Sequence, residues 1–394
     1  MMASAMAGAC SSSIVSQSSR APSSIPTISL PFTSKLRNNN TNNYNSKQYS
    51  ITNNPHHRLF QSKLPPSSTP VSAAQAQQTI NPTTSTPTWS EFASKISGEW
   101  DGFGADFTTE GKPIELPEYV VPEAYREWEV KVFDWQTQCP TLAHPQDLLL
   151  TSKTIKLLPT VGCEADAATR YSIDERVVGG LDNNVSAFAY QSGGSYAAVW
   201  PVVDNGQHKQ LELEHCLINP RDKESRMRII QVVRVANTGI ELQSIRVFCE
   251  QWYGPFRNGD QLGGCAIRDS AFASTTALKA SEVVGVWQGP SAISTFDSSQ
   301  NVLIQELVDD KVRKTVRDEH NLILLPKQLW CSLGHKGGET WCEVGWLFDH
   351  GCVVTSRCIF SSDVKLKEIL VTHETAISGE YSICFKALLT VHGN

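Results

Sequence analysis

The chain contains two stretches that carry the same landmarks in the same order. Gly98–Gly102 reads Gly-Glu-Trp-Asp-Gly, and Gly285–Gly289 reads Gly-Val-Trp-Gln-Gly. Well downstream, Leu242–Glu250 and Leu366–Glu374 both read Leu-x-x-Ile-x-Val-x-x-Glu. Chance could produce either landmark alone, but both landmarks in the same order predict that the chain is built from a duplicated fold unit.

The tryptophan of each opening motif has a structural interpretation. An arginine precedes each closing stretch, Arg234 by eight residues and Arg357 by nine. A large indole can plug one end of a β-barrel where flanking glycines permit close backbone approach, and a cation can then stack on its face. We therefore predict that Trp100 and Trp287 are buried plugs, covered by Arg234 and Arg357 respectively.

The chain between these landmarks is typical of a β-protein. Thr88–Glu91 has the form of a helix capping box, and apolar residues at helical spacing follow it up to Ile96, which predicts a short helix ending before Gly98. Most of the remainder reads as short strands separated by turn signals, including a strand at 125–134. The predicted fold is mainly β, with two tandem antiparallel β-barrels, each preceded by a short helix.

The N-terminal region has the composition of an organelle address. The first 73 residues contain six basic residues, 17 serines and no Asp or Glu, and Val71–Ala74 resembles a stromal processing site. We expect a chloroplast protein, stromal or peripheral to the thylakoid; a disordered terminus and a mitochondrial address are the alternatives. The predicted organisation is a transit peptide 1–73, a linker 74–88, a first barrel 89–269, a second barrel 270–377 and a C-terminal tail 378–394.

Charge and cysteine spacing narrow the classes of function. Removing six of the 34 basic residues with the address leaves 28 against 40 acidic ones, and no basic cluster is visible, so a nucleic-acid partner is disfavoured. No run of eighteen apolar residues predicts a transmembrane segment. The histidines and cysteines have no metal-ligand spacing, so no metal site is predicted and the cysteines are interpreted as core residues.

The Gly-x-Trp entry after a short helix, the run of short strands and the late arginine resemble the calycin superfamily of lipocalins and fatty-acid-binding proteins. Within it, the plastid address, the duplication and the Gly-Glu-Trp-Asp-Gly opening are similar to the DUF3598 family of cyanobacteria and plants. The resemblance implies lipocalin-like barrels in a group that includes transporters, enzymes and scaffolds. Gly98–Gly104 also resembles the entry of nitrobindin-like haem barrels, although neither repeat carries that whole pattern.

The closing stretches supply the candidate cavity residues. Side chains alternate along a strand, so each stretch presents an apolar face that we expect to point into a barrel. Glu250 and Glu374 fall on the opposite face, where a surface carboxylate paired with an arginine is the favoured interpretation. The predicted cavity residues are Ile245, Val247 and Cys249 in the first repeat and Ile369, Val371 and His373 in the second.

These features favour a binding protein over an enzyme. We expect a non-enzymatic lipocalin-like protein that binds a small hydrophobic ligand, such as a tetrapyrrole, a carotenoid or a fatty acid derivative, or that scaffolds a thylakoid protein complex. The alternative is a plastid calycin-type enzyme, a cyclase, isomerase or chromophore lyase; the sequence identifies neither catalytic residues nor a cofactor. The first barrel is expected to hold the ligand, because four aromatic residues would fill the second: Trp330, Trp341, Trp346 and Phe348.

Overall fold

The computed structural model describes residues 86–160, 169–202, 209–236, 239–260, 271–297 and 303–377. The predicted transit peptide, the C-terminal tail 378–394 and the predicted boundary between the barrels at 269/270 lie outside the described residues.

The described part of the first repeat contains two α-helices, one before strand β1 and one between β1 and β2. Helix α1 spans Pro87–Ile96 and buries its apolar stripe, as predicted, but its N-cap is Thr86, whose hydroxyl accepts a hydrogen bond from the Trp89 amide at 3.3 Å. Proline at the first helical position needs no amide partner, so the helix starts there rather than inside the Thr88 capping box. Helix α2 spans Glu123–Glu127.

The segment predicted as a strand at 125–134 is different in the structure. It contains the end of α2 and an irregular stretch in which Trp128 and Val130 are exposed and Glu129 has a φ of 55°. The alternation of apolar and charged residues was therefore misleading, because no neighbouring strand pairs with this stretch among the described residues.

Twenty strands are formed within the described residues and are numbered in chain order. The first ten are β1 (Glu99–Phe107), β2 (Asp134–Gln138), β3 (Thr141–His144), β4 (Leu149–Leu157), β5 (Arg170–Val178), β6 (Ala187–Tyr190), β7 (Tyr196–Val202), β8 (Lys209–Ile218), β9 (Ser225–Ala236) and β10 (Gly239–Gly254). The others are β11 (Gly285–Gly289), β12 (Ser291–Thr295), β13 (Ile304–Glu306), β14 (Val308–Asp309), β15 (Arg313–Arg317), β16 (Leu322–Leu325), β17 (Leu329–Lys336), β18 (Glu339–Asp349), β19 (Cys352–Phe360) and β20 (Leu366–Ala376).

The strands form two sheets that follow the two repeats. The first sheet has the order β13-β6-β7-β8-β9-β10-β1-β2-β4-β3, with β5 paired to β4. The second has the order β14-β12-β20-β19-β18-β17-β16, with β11 paired to β20 and β15. In both repeats the last long strand pairs with the first, β10 with β1 and β20 with β11. The pairing is antiparallel except between β13 and β6, where a strand of the second repeat joins the first sheet.

The mainly β class is confirmed, whereas two closed barrels are not formed by the strand pairs of the described residues. The first sheet ends at β13 on one side and at β3 and β5 on the other, and the second is open between β15 and β16. The described residues nevertheless belong to one compact unit. The duplication is thus visible in the topology as two sheets with equivalent first-to-last pairing.

One face of each sheet packs into a common hydrophobic core. Leu213, Ile229 and Val247 of the first sheet belong to the same buried cluster as Val344 and Val371 of the second. A hydrogen bond of 2.8 Å between the Nδ1 atom of His215 and the hydroxyl of Ser356 joins the two sheets. We call these surfaces the apolar faces, and the opposite surfaces, which carry buried charges, the ion-pair faces.

Candidate functional site

The two predicted plug residues occupy equivalent positions on the ion-pair faces. Trp100 and Trp287 are both buried. Their indole N–H groups donate to backbone carbonyls four residues earlier, to Ile96 at 2.8 Å and to Val283 at 2.7 Å. The same bond in both repeats fixes each ring against the turn that precedes its strand.

The second glycine of each opening motif is required by close backbone approach. A Cβ atom added to Gly102 would lie 1.9 Å from the carbonyl oxygen of Cys249, and one added to Gly289 would lie 1.7 Å from that of His373. Such distances are far inside van der Waals contact, so only glycine fits where the first strand crosses the closing strand. The second glycine of the motif is therefore explained in each repeat by the close packing of two strand backbones.

The cations beside the plugs differ from those predicted. The guanidinium of Arg226, not Arg234, lies over the Trp100 ring, 4.3 Å from its centroid. Arg234 stands eight residues further along β9, roughly 26 Å away at ~3.3 Å per residue, and pairs with Glu241 near the surface. The repeat spacing indicated the correct strand but the wrong end of it.

In the second repeat the predicted arginine is also displaced from its plug. Arg317 of β15 lies 5.9 Å from the centroid of Trp287 and 5.3 Å from that of Trp330. Arg357 lies 5.9 Å from the centroid of Trp341 and pairs with Glu343. Arg317 therefore takes the position that the sequence pattern assigned to Arg357.

A chain of buried ion pairs runs across the ion-pair face of the first sheet. The Oε2 atom of Glu250 lies 2.5 Å from Nε of Arg226, and its Oε1 atom lies 2.9 Å from Nη2 of Arg228. Arg228 continues to Glu214 at 3.0 Å, and Glu214 to Arg176 at 2.8 Å. Opposite charges alternate along this chain, which offsets the cost of removing them from water.

The carboxylate of Glu214, in the first sheet, also accepts hydrogen bonds from two neutral side chains. The Tyr196 hydroxyl and the Trp200 indole each donate to Glu214 at 2.8 Å. Burial alone would raise the pKa of Glu214, but Arg176 and Arg228 outweigh it and lower the pKa to about 2. This carboxylate stays ionised in all ordinary conditions, which suits a structural role better than proton transfer.

A smaller cluster of the same design lies on the ion-pair face of the second sheet. Arg317 lies 3.0 Å from Glu343 and 2.7 Å from Glu374, and the Thr315 hydroxyl donates to Glu374 at 2.8 Å. Arg357 donates to Glu343 at 2.8 Å through Nε. Arg317 and Arg357 lower the pKa of Glu343 to about 2 against the opposing effect of burial.

The interpretation of Glu250 and Glu374 as surface carboxylates was wrong. They are 4% and 3% exposed and belong to the two buried clusters, where each is paired with arginine. The alternation was assigned correctly, but both faces of each closing strand are covered, so the charged face is buried too. A signal was present in the neighbouring strands: Glu212 and Glu214 of β8 and Arg226 and Arg228 of β9 alternate with apolar residues, as expected for a sheet with partners on both sides.

The predicted cavity residues lie on the apolar faces. Ile245, Val247, Ile369 and Val371 are buried in the core that both sheets share, and Cys249 packs against it. His373 is half-buried, and burial lowers its pKa. Ile245, Val247, Ile369 and Val371 therefore contribute to the core between the two sheets, and the lining of a ligand cavity by the six residues stays a prediction.

Open space is found in the second sheet, where β15 and β16 are not paired with each other. A cavity of about 350 Å³ lies between β15 and β16 beside the buried cluster, and an adjoining cavity of about 530 Å³ shares Lys314, Thr315 and Arg357 with it. We call the two together the second-repeat cleft. Besides these three, the smaller cavity is lined by Val316, Arg317, Asp318, Asn321, Leu322, Ser332, Lys336, Trp341 and Glu343.

Of the four aromatic residues expected to fill the second repeat, two lie on the ion-pair face and two elsewhere. Trp330 is fully buried beside Arg317, and Trp341 lines the cleft. Trp346 belongs to the shared core, and Phe348 packs against it. None of the four closes the space between β15 and β16, where Trp341 forms part of the lining.

Asp101 and His215 are among the titratable groups outside the cleft whose pKa is shifted. Burial and the nearby carboxylate of Glu99 raise the pKa of Asp101 to about 6, and burial lowers the pKa of His215 to about 4. In the described part of the chain, no three His, Cys, Asp or Glu side chains are grouped as metal ligands, and no helix could cross a membrane.

Comparison with known proteins adds one structural similarity. No protein-family model and no curated protein matches the chain. Among solved structures, the chain is similar to a protein of unknown function from the DUF3598 family of Nostoc punctiforme, with a TM-score of 0.43 and 12% sequence identity. The match covers 74% of this chain and all of the other.

Proposed function

We propose that this chain is a non-enzymatic chloroplast protein of the calycin type that binds a small hydrophobic ligand in the second-repeat cleft. The observation that carries the proposal is the cavity of about 350 Å³ beside Trp341, next to a second cavity of about 530 Å³ that shares three lining residues with it. These volumes lie within the range of small-molecule sites, roughly 300–1,000 Å³. The ligand classes that we consider are tetrapyrroles, carotenoids and fatty acid derivatives.

The composition of the cleft supports the binding of an extended or planar molecule. Leu322 and Trp341 supply apolar surface, and Trp341 packs flat against Gly334, where an added Cβ would lie 2.2 Å from the ring. The absence of a side chain at Gly334 thus allows this indole to occupy the space behind it. An aromatic face fixed in this way can stack on a ring system or an acyl chain.

The protonation states in the cleft favour binding over catalysis. A general acid or base works best when its pKa lies near the working pH. Glu343, the buried carboxylate of the cleft, has a pKa of about 2 because Arg317 and Arg357 stabilise its ionised form. It cannot readily supply a proton, and the arginines beside it are permanent cations.

The first repeat has a different role in this proposal. Its ion-pair face is occupied by the buried charge chain and by an aromatic cluster that includes Trp100, Phe188 and Trp200. Its apolar face packs into the shared core. The first repeat therefore acts as the framework that supports the ligand-binding second repeat, which reverses the roles expected from aromatic content.

Titration of the full chain with protoporphyrin, biliverdin and a C18 fatty acid tests the proposal, with tryptophan fluorescence as the readout. Ser332→Phe places a ring in the floor of the cleft, and we expect it to weaken binding strongly. Gln243→Phe, at an exposed position of β10, is the control and should bind as the unmodified chain does. Melting curves of both variants establish that they fold. Absence of saturable binding by the unmodified chain, or equal binding by folded Ser332→Phe, would contradict the proposal.

A further inference from the structure

The second-repeat cleft has a local charge opposite to that of the chain. The full sequence has 34 basic and 40 acidic residues. The side chains lining the two cavities include six cations and three carboxylates. The cations are Lys311, Arg313, Lys314, Arg317, Lys336 and Arg357, and the carboxylates are Asp310, Asp318 and Glu343.

Part of this positive charge is already neutralised. Arg317 and Arg357 share Glu343, and Arg317 also contacts Glu374. Arg313 pairs with Asp310 at 2.9 Å. These pairs fix the guanidinium groups in place but leave little of their charge for a ligand.

The three lysines that line the cavities, Lys311, Lys314 and Lys336, form no ion pair within the described ranges. Lys314 of β15 and Lys336 of β17 are exposed at the rim. They come from the two sides of the gap in the second sheet, so both can approach a group that enters between the strands. A carboxylate or phosphate placed there would meet flexible cations without having to break an existing pair.

The arrangement combines a cationic rim with an apolar and aromatic wall. The Arg357 guanidinium is partly exposed and lies near the face of Trp341, and Leu322 extends the apolar surface. A neutral hydrophobic molecule would use the wall and leave the rim solvated. A molecule with an acidic group at one end would use both.

We infer that the natural ligand is an amphipathic anion, an apolar body with a carboxylate or phosphate head group, and that Lys314 and Lys336 recognise the head group. This inference rests on the proposed function, because it assigns the class of ligand to the same cleft. It also assigns the orientation of the ligand in the cleft. The head group lies at the rim between β15 and β17, and the apolar body lies against Trp341.

Matched pairs of ligands separate this inference from the proposed function. The full chain is titrated with a C18 fatty acid and the corresponding alcohol, and with protoporphyrin and its dimethyl ester; an alkyl phosphate of the same length distinguishes phosphate from carboxylate. We expect the acids to bind more tightly than their neutral partners, and their advantage to shrink as salt is added. If acid and neutral partner bind equally, the inference is wrong and the proposed function stands. If none of them binds, both fail.

A lysine variant provides the second arm of the test. Replacing Lys314 and Lys336 together by Gln should weaken binding of the preferred acid about fivefold, since each exposed ion pair contributes a modest factor, and should leave binding of the alcohol unchanged. Lys131→Gln, an exposed lysine of the first repeat, is the control and should have no effect. Unchanged affinity of the double variant for the acid would overturn the assignment of the head-group site.

Discussion

Glu250 and Arg226 form an ion pair, Oε2 to Nε over 2.5 Å, in which neither side chain has any solvent-accessible surface. The same two strands carry a second pair, Arg234 with Glu241, whose side chains are 37% and 43% exposed. Strands β9 and β10 thus present one arginine–glutamate pair in the interior and one at the surface. Comparing the two pairs measures how burial changes the contribution of an ion pair to the free energy of unfolding.

We expect Glu250→Gln to lower the free energy of unfolding by about 3–5 kcal/mol, because it leaves Arg226 and Arg228 in the interior without their common counter-charge. Glu241→Gln should cost at most about 1 kcal/mol, since its partner is solvated. Urea unfolding at neutral pH measures both. Similar losses for the two variants would show that the buried chain of charges does not support the first repeat.

The opening glycines provide a test of the duplication. Gly102→Ala and Gly289→Ala each place a methyl group less than 2 Å from a backbone carbonyl oxygen of the closing strand, so both should fold poorly or melt at a much lower temperature. Gly193→Ala is the control, since an added Cβ there meets nothing within 4 Å. Thermal melts compare the three. A well-tolerated change at only one of the two motif positions would mean that the repeats are not structurally equivalent there.

The shared core predicts cooperative unfolding of both repeats. Val247 is 1% exposed and packs in the cluster that contains Val344 and Val371 of the second sheet. Val247→Asp should therefore lower the melting temperature of the whole described unit in one transition, because an unpaired charge in the core destabilises both sheets. Leu181→Asp, at a fully exposed position, should melt like the unmodified chain. Differential scanning calorimetry that resolved an unaffected second-repeat transition would contradict the common core.

The buried His215, which joins the two sheets, should make the free energy of unfolding depend on pH. It bonds to Ser356, and Glu214 and Glu343 act on it from the two sheets. Since its pKa falls from 6.5 to about 4 on folding, the unfolded chain binds the proton more readily. Above about pH 6.5 His215 is neutral in both states and does not reduce the free energy of unfolding. As the pH falls from 6.5 towards 4, protonation of the unfolded chain lowers the free energy of unfolding by about 3 kcal/mol.

Urea unfolding at pH 7 and at pH 4.5 measures this effect. Glu214 and Glu343, with pKa values of about 2, lose their contribution mainly below that interval. His215→Gln should flatten the profile relative to the unmodified chain, whereas His320→Gln, at an exposed position, should not. Parallel profiles for all three proteins would exclude His215 as the source of acid sensitivity.

The duplication and the β class could be predicted because they depend on local signals. The spacing of Trp100 between two glycines and the alternation of Ile245 and Val247 reflect close backbone approach and strand pleating, which are properties of short segments. Helix α1 was predicted for the same reason, from the periodicity of its apolar residues.

The candidate site could not be predicted in the same way. Which face of a strand meets which partner depends on residues distant in sequence, and a strand covered on both sides gives no polar face that marks the solvent. Glu250 was therefore assigned to the surface, although it is buried. The cleft depends on the gap between β15 and β16, which no single segment of sequence specifies.

The crystal structure of the full chain grown with a C18 fatty acid tests the central claim most directly. We predict electron density for one acyl chain in the second-repeat cleft, against Trp341 and Leu322, with its carboxylate near Lys314 and Lys336. An acyl chain bound elsewhere, or an empty cleft in crystals grown with saturating fatty acid that the same protein binds in solution, would contradict the claim.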